Sequence, residues 1–379
     1  MIILINTIST KKHAGGAFQI SQNFMLRSLE DSDVEWYYIT SQDVDDAIGE
    51  KFTHLKGTKY FVFPTQPNFR SYRIVKKELS ELEDRIKPAV VYSITAPSYF
   101  TFKTKEVMRF TNPWVTHPNK YSWSTYSFVS KIKQWLYCLN QRILMRAAYA
   151  FITQTETTKK GIMRITGKSS EKVCVVSNVL PGVFKTMDNT SIVDDDMVNI
   201  ACVGNPVPHK NFDILPGVLI ELKRMGIDNV RFHTTIPFDN PLNGKLKKQI
   251  AELNMMNNWK NHGLVSQKEL GVMYQHCQLC FLPTLLEVFS ASTVEAMYFH
   301  LPIVATNFSF NVEVLADSCL YYEPKNANEA AKQIAKLISN KELREKLKEK
   351  MQVQLAKYGN YDKHFNAIKD YLIEVANMK

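Results

Sequence analysis

Glu287 and Glu295 stand eight residues apart in the segment LCFLPTLLEVFSASTVEAM, residues 279–297, where an apolar run gives way to a helical pattern. Leu279–Leu282 reads as a buried strand, Pro283 closes it, and a helix is expected to begin near Ser290. Ligands of open α/β sheets collect outside the carboxyl ends of strands, beside helix N-termini whose unpaired N–H groups and dipole favour phosphate. Helical side chains lean back toward the N-terminus. A carboxylate on the loop and one on the first turns of the helix can therefore face the two ends of one elongated ligand. A third charge, Lys210, lies in the loop Gly204-Asn205-Pro206-Val207-Pro208-His209-Lys210-Asn211, which follows an apolar run at 198–203. There it can hold a diphosphate as a point charge. Each residue also has a plainer reading: Glu287 solvated on its loop, Glu295 on an ordinary helix surface, and Lys210 in water.

These loops need strands and helices to position them. Residues 2–5 form a short β-branched run, followed by a polar loop, Gly15-Gly16 and a helical pattern at 17–29, which is how a doubly wound domain opens. Further strands are expected at 36–40, 60–63, 90–92, 107–110, 150–153 and 173–176, mostly separated by helices such as 73–86 and 131–145. A polar stretch without periodicity, 186–196, reads as a linker. A second series then runs through strands at 198–203, 230–234, 259–262, 279–282 and 303–305, with helices at 213–225, 246–255, 267–276 and 290–297. After Pro324 the pattern is helical, at 329–338, 342–357 and 363–378. Strands alternating with helices imply mainly parallel sheets. The expected fold is α/β: two Rossmann-like domains with a ligand cleft between them. The division is an N-terminal domain at 1–185, a linker at 186–197, a C-terminal domain at 198–358 and a last helix at 359–379 that packs on the N-terminal domain.

With 379 residues the chain suits two domains, and 45% hydrophobic with 22% charged residues is a globular composition. The six cysteines are scattered in apolar runs, as free thiols of a reducing compartment are. Cys277 and Cys280 form a C-x-x-C without a second ligand pair, and packing is the better reading of it. The first residues show no basic region ahead of their apolar run, and no window is long enough for a membrane span, so a cytoplasmic protein is expected. The net charge of +10 is one-sided: residues 1–185 hold 26 Lys and Arg against 15 Asp and Glu, the remainder 21 against 22. Such a surface attracts a polyanion, an anionic membrane or a phosphorylated ligand.

Taken together, the motifs resemble glycosyltransferase family 4, a family of retaining GT-B enzymes. Glu287 to Glu295 matches its E-x7-E signature, with Phe289 and Glu295-Ala296-Met297 in place. Pro302 to Thr306, Gly263 to Tyr274 and Gly204 to Asn211 fit its neighbouring segments, and Gly15-Gly16 its glycine turn. The resemblance spans nearly the whole chain, most closely 198–325. It implies that Glu287 contacts hydroxyls of a donor sugar, Glu295 the nucleotide ribose, and Lys210 the leaving diphosphate. Donor contacts are also implied for Gly16, Asn205, Val265, Phe289, Ser290 and Ala291. No metal and no cofactor are expected, the nucleotide-sugar being a substrate; the acidic runs 43–46 and 194–196 read as solvated loops. Asn205 stands where the family usually has Arg, and Val288 and Ser290 where Gly is frequent. The family's N-terminal histidine is matched only loosely, by Asn112 or by His117, each a candidate contact to donor or acceptor.

The N-terminal domain is then expected to hold the acceptor, a saccharide or lipid-linked saccharide as in surface-polysaccharide assembly. Residues 120–146 mix lysine and arginine with Tyr121, Trp123, Tyr126, Phe128, Trp135 and Tyr137. This mixture suits peripheral contact with an anionic membrane at its inner face. On sequence alone the preferred reading is an amphipathic helix that packs its aromatics inward. Other GT-B sugar-phosphate chemistry, such as epimerisation or phosphorolysis, and a non-catalytic nucleotide-sugar binder remain alternatives. Neither a dinucleotide-binding glycine pattern nor a nucleic-acid-binding module is found, so no nucleic-acid partner is expected.

Overall fold

The structure, a computed structural model, describes residues 1–12, 16–64, 69–192 and 196–378. The first half of the chain runs β1 (Ile2–Thr7), α1 (Gly16–Ser28), β2 (Glu35–Ser41), α2 (Gln42–Ile48), β3 (Tyr60–Phe63) and α3 (Phe69–Ile86). It continues through β4 (Val90–Ser93), β5 (Glu106–Arg109), α4 (Pro113–Thr116), α5 (Lys120–Trp123) and α6 (Phe128–Met145). Next come β6 (Ala150–Thr153), α7 (Glu156–Thr166), β7 (Val173–Val175) and α8 (Gly182–Lys185). The second half runs β8 (Val198–Cys202), α9 (Leu215–Arg224), β9 (Val230–Thr234), α10 (Pro241–Glu252), β10 (Trp259–Asn261) and α11 (Gln267–Gln275). It closes with β11 (Leu279–Leu282), α12 (Ala291–Tyr298), β12 (Ile303–Thr306), α13 (Ser309–Leu315) and β13 (Leu320–Tyr322), then α14 (Ala327–Ser339), α15 (Lys341–Leu355) and α16 (Tyr361–Asn377).

Two compact units result. Unit 1 comprises Met1–Thr116, Ile132–Ser177 and Asp362–Lys379; unit 2 comprises His117–Lys131 and Asn178–Tyr361. Unit 1 is built on a seven-stranded parallel sheet of order β3-β2-β1-β4-β5-β6-β7. Its central strand β1 is apolar on both faces, as a parallel strand covered on both sides tends to be: Ile3 and Ile5 point into one cluster, Leu4 into the other. The first cluster is completed by α16, whose Phe365 ring lies 4.9 Å from Phe24. Lys369 of the same helix reaches Asp31 at 2.6 Å and Asp33 at 2.5 Å. The last helix therefore belongs to the first unit.

Unit 2 carries a six-stranded parallel sheet of order β10-β9-β8-β11-β12-β13. One face is packed by a cluster including Leu215, Leu219 and Ile334, the other by a cluster including Tyr274, Val294 and Met297. The division between units falls at Ser177 and Asn178, upstream of the expected linker at 186–197. Its described part is bonded onto unit 2: Ile192 N–H donates to Gln275 O at 2.7 Å, and the Asn189 amide to Tyr298 O at 3.1 Å.

Two expectations are corrected. Residues 43–46 are not a solvated loop but lie in α2, where Asp43 and Asp45 occupy the first turn and favour the positive end of the helix. The Ser41 hydroxyl caps that helix by accepting from Val44 N–H at 3.3 Å. The aromatics of α6 do not pack inward: Trp135 and Tyr137 are exposed, and the helix buries Cys138, Gln141 and Met145. Asp194 and Asp195, from the other acidic run, lie outside the described residues, as does Gly15. All six cysteines are unpaired in disulfides, and five of them are buried. No helix among the described residues is long and apolar enough to cross a membrane.

Candidate functional site

In unit 2 the sheet order reverses between β8 and β11, the point where doubly wound sheets place their ligands. The loops leaving the carboxyl ends of these two neighbouring strands carry Lys210 and Glu287. After β8, a single 3-10 turn, Pro208–Lys210, presents the lysine, and Asn211 follows with φ of 59°. Asparagine tolerates this left-handed backbone better than most side chains. The Asn211 amide donates to Pro283 O at 3.2 Å and Leu285 N–H to His209 O at 2.7 Å, so the two loops are braced to each other. Lys210 Nζ and Glu287 Oε2 meet at 2.5 Å, with 12% and 20% of their side chains exposed. Glu287 Oε1 also accepts from Val288 N–H at 3.2 Å.

The electrostatics follow from this pairing. Burial alone would raise the Glu287 carboxyl, but the Lys210 ammonium more than reverses that and holds it below its ordinary value. The half-buried His209 imidazole is pushed down to about 4 by burial, which outweighs the opposing field of Glu287 and is helped by Lys210, and it is neutral at pH 7. Glu295 sits on α12, 6% exposed, and accepts the Tyr274 hydroxyl of α11 at 2.9 Å. Burial pushes its carboxyl up to about 7, opposed by the Tyr274 hydrogen bond and by the field of Lys210. The site thus offers a cation shared with one ionised carboxylate, and a second carboxyl that titrates near neutrality.

The other sequence candidates fall around this centre or apart from it. Val288 and Phe289 are buried in the unit 2 core, with the Phe289 ring 5.3 Å from Tyr358. Ser290 is the N-cap residue of α12, its hydroxyl bonded to Ser292 at 2.7 Å, and the exposed Ala291 opens the helix. Asn205 is exposed on the Lys210 loop. Val265 is half-buried on the loop leaving β10, after Gly263, whose φ is +72°. His117 belongs to unit 2, and its Nε2 donates to Glu287 O at 2.7 Å. Gly16 and Asn112 belong to unit 1. Gly16 is exposed and begins α1. Both ends of the Asn112 carboxamide are engaged locally, with Gln141 Oε1 at 2.8 Å and Trp114 N–H at 3.1 Å.

Sequence reasoning did not single out three residues of this centre. Tyr274 sets the environment of Glu295, His209 lies beside the Lys210–Glu287 pair, and the Asn119 amide donates to Leu285 O at 2.7 Å. Tyr274 sits in a matched segment but is 21 positions from its partner; nothing in the local pattern marks Asn119.

Two Rossmann-like α/β units with parallel sheets of seven and six strands match the architecture of GT-B glycosyltransferase structures. Residues 184–354 match the family model described as Glycosyl transferases group 1. Among solved structures, Anabaena HepE in complex with UDP-glucose superimposes with a TM-score of 0.72 at 15% identity, covering 99% of this chain and all of that one. An uncharacterized glycosyltransferase of Methanocaldococcus jannaschii is 28% identical over 194 residues, 48% of this chain and 54% of that protein. The 2-deoxystreptamine N-acetyl-D-glucosaminyltransferase of Niallia circulans is 26% identical over 112 residues, 29% of each chain. The chain thus spans about half the length of the first of these relatives and less of the second.

Proposed function

We propose that the protein is a retaining, metal-independent glycosyltransferase of family 4 that moves a sugar from a nucleotide-sugar to a saccharide or lipid-linked saccharide in surface-polysaccharide assembly. The observation that carries this reading is the Lys210–Glu287 pair at the β8/β11 switch point, inside the segment matching glycosyl transferases. Likeness to a structure holding UDP-glucose supports a UDP-sugar as donor. In this reading Lys210 neutralises charge growing on the departing diphosphate, the task for which preorganised cations are most effective. Glu287 accepts hydrogen bonds from donor-sugar hydroxyls, and Glu295 from the nucleotide ribose. The bond from the anomeric carbon to the diphosphate oxygen breaks, and an acceptor oxygen bonds to that carbon from the same face. The acceptor proton passes to the departing phosphate oxygen. With a cation supplied by the chain, no metal is needed.

A thermal-shift screen of UDP-, GDP-, ADP- and TDP-sugars tests donor binding, because a ligand that binds only the folded state raises its melting temperature. The expected result is stabilisation by a UDP-sugar, unaffected by EDTA, with Lys210→Ala and Glu295→Ala each reducing the shift. Proton NMR of the product should show a new glycoside with the donor's anomeric configuration. An isomerised or phosphorolysed sugar would overturn the transferase reading.

A further inference from the structure

Helix α6 is built inside out. The side it turns toward unit 1 buries Met145 but is otherwise held by polar contacts: Gln141 bonds Asn112 at 2.8 Å, Arg142 donates to Val115 O at 3.2 Å, and the Cys138 thiol lies 3.6 Å from Trp114 O. The opposite side carries Ile132, Trp135, Leu136, Leu139 and Ile143, spaced by three or four residues and all exposed. That spacing is one continuous helical stripe. Phe128, the first residue of the helix, extends the stripe and is 78% exposed. Elsewhere the exposed large apolar residues are scattered over other elements. A helix that turns a continuous apolar stripe away from the unit carrying it is suited to a surrounding that is not water.

Charge selects what that surrounding is. Lys131, Lys133 and Arg146 lie along or just past the helix, apart from the inward-bonded Arg142, and no Asp or Glu occurs between Glu106 and Glu156. A second copy of the chain docked about a two-fold axis would set these cations against their own equivalents, with no carboxylate on the helix to pair them. We infer that α6 is an interfacial helix that docks unit 1 on an anionic lipid bilayer, its apolar stripe among the acyl chains and its cations at the headgroups. The helix, about 27 Å long at 1.5 Å per residue, lies in the plane of the surface. This inference does not depend on which reaction the protein catalyses.

The test is flotation of the full chain with phosphatidylcholine vesicles containing or lacking 30% phosphatidylglycerol. At 50 mM salt, at least tenfold more protein should float with the anionic vesicles, and the excess should collapse in 0.5 M salt as the headgroup field is screened. Ile132→Asp/Leu136→Asp, on exposed positions that leave the packed side of the helix intact, should cut flotation at least tenfold with an unchanged melting temperature. Trp135 is the most exposed of the five tryptophans, so its emission should shift to the blue on binding, and Trp135→Phe should lose the shift while still floating. Absence of flotation at low salt would overturn the inference, as would equal flotation of the double variant. A wild-type dimer in sedimentation velocity that the same variant dissociates would instead assign the stripe to a second copy.

Discussion

Replacing Lys210 by alanine removes one partner of a close and mostly buried ion pair, and the cost can be worked from its geometry. At the 2.5 Å separation of Nζ and Oε2, the gross attraction is about 6–7 kcal/mol at an effective dielectric of ~20. Part of this offsets desolvation, and breaking buried pairs costs roughly 3–5 kcal/mol because the survivor is left uncompensated. With 12% and 20% of the two side chains still exposed, water moderates the loss, and about 2–4 kcal/mol is expected. For a unit of this size that is on the order of 5–15 °C in the unfolding transition of unit 2.

The pH dependence sharpens the prediction. In the wild type the Glu287 pKa is depressed, so its contribution is present above pH 4.5 and is lost as pH falls through the lower, folded value. In the variant, burial acts without Lys210 and raises the Glu287 pKa, giving a penalty that vanishes as pH falls below 4.5. The gap between the two proteins should be widest at pH 7–8 and close toward pH 4. Calorimetry across that range measures it, and Lys210→Ala/Glu287→Gln should recover part of the loss. A variant that matches wild type at pH 8, or a gap that widens in acid, would refute the reasoning.

Glu295→Gln should flatten the stability profile between pH 4.5 and 7. In the wild type the folded state holds the Glu295 proton up to about pH 7, so stability falls with rising pH across that window, by about 3 kcal/mol for a shift of this size. Superimposable melting temperatures of the two proteins from pH 5 to 8 would contradict it. Phe365→Ala empties a fully buried position against Phe24 and should cost unit 1 about 3–5 kcal/mol, read as a drop in the unfolding transition of unit 1 with that of unit 2 unmoved.

The buried framework was the most readable part of the chain. Tyr60–Phe63, Ala150–Thr153 and Leu279–Leu282 occupy the residues that their short apolar runs indicate, because a parallel strand covered on both faces has no polar alternation to confuse it. Helix α7 was harder to see, since its sequence, ETTKKGIMRIT, is rich in threonine and broken by a glycine. It is secured by its ends: the Thr155 hydroxyl accepts from Thr158 N–H at 3.3 Å, and Gly167 closes it at φ +70°. The facing of α6 was not legible either. Its two sides differ in what they touch, and alternating apolar and polar stripes do not say which one the fold turns inward.

At the candidate site, that Lys210 and Glu287 would face one ligand was expected because both loops leave the carboxyl ends of strands; that the two side chains pair with each other was not. The partners that tune the site were not legible. The Tyr274–Glu295 contact joins consecutive helices, and the bonds from His117 and Asn119 to the Glu287 loop span more than 160 positions. Such contacts depend on how elements stack, which periodicity leaves open.

That unit 1 recruits Asp362–Lys379 imposes an order on biosynthesis. When a ribosome has completed β7, the aromatic platform of Phe24, Trp36 and Tyr92 still lacks its cover, because residues 178–361 must be translated first. At roughly 5–20 residues per second this leaves the nascent domain open for about 10–40 s. A premature stop or a bulky fusion after residue 361 would therefore injure the part of the protein made earliest, while leaving unit 2 intact.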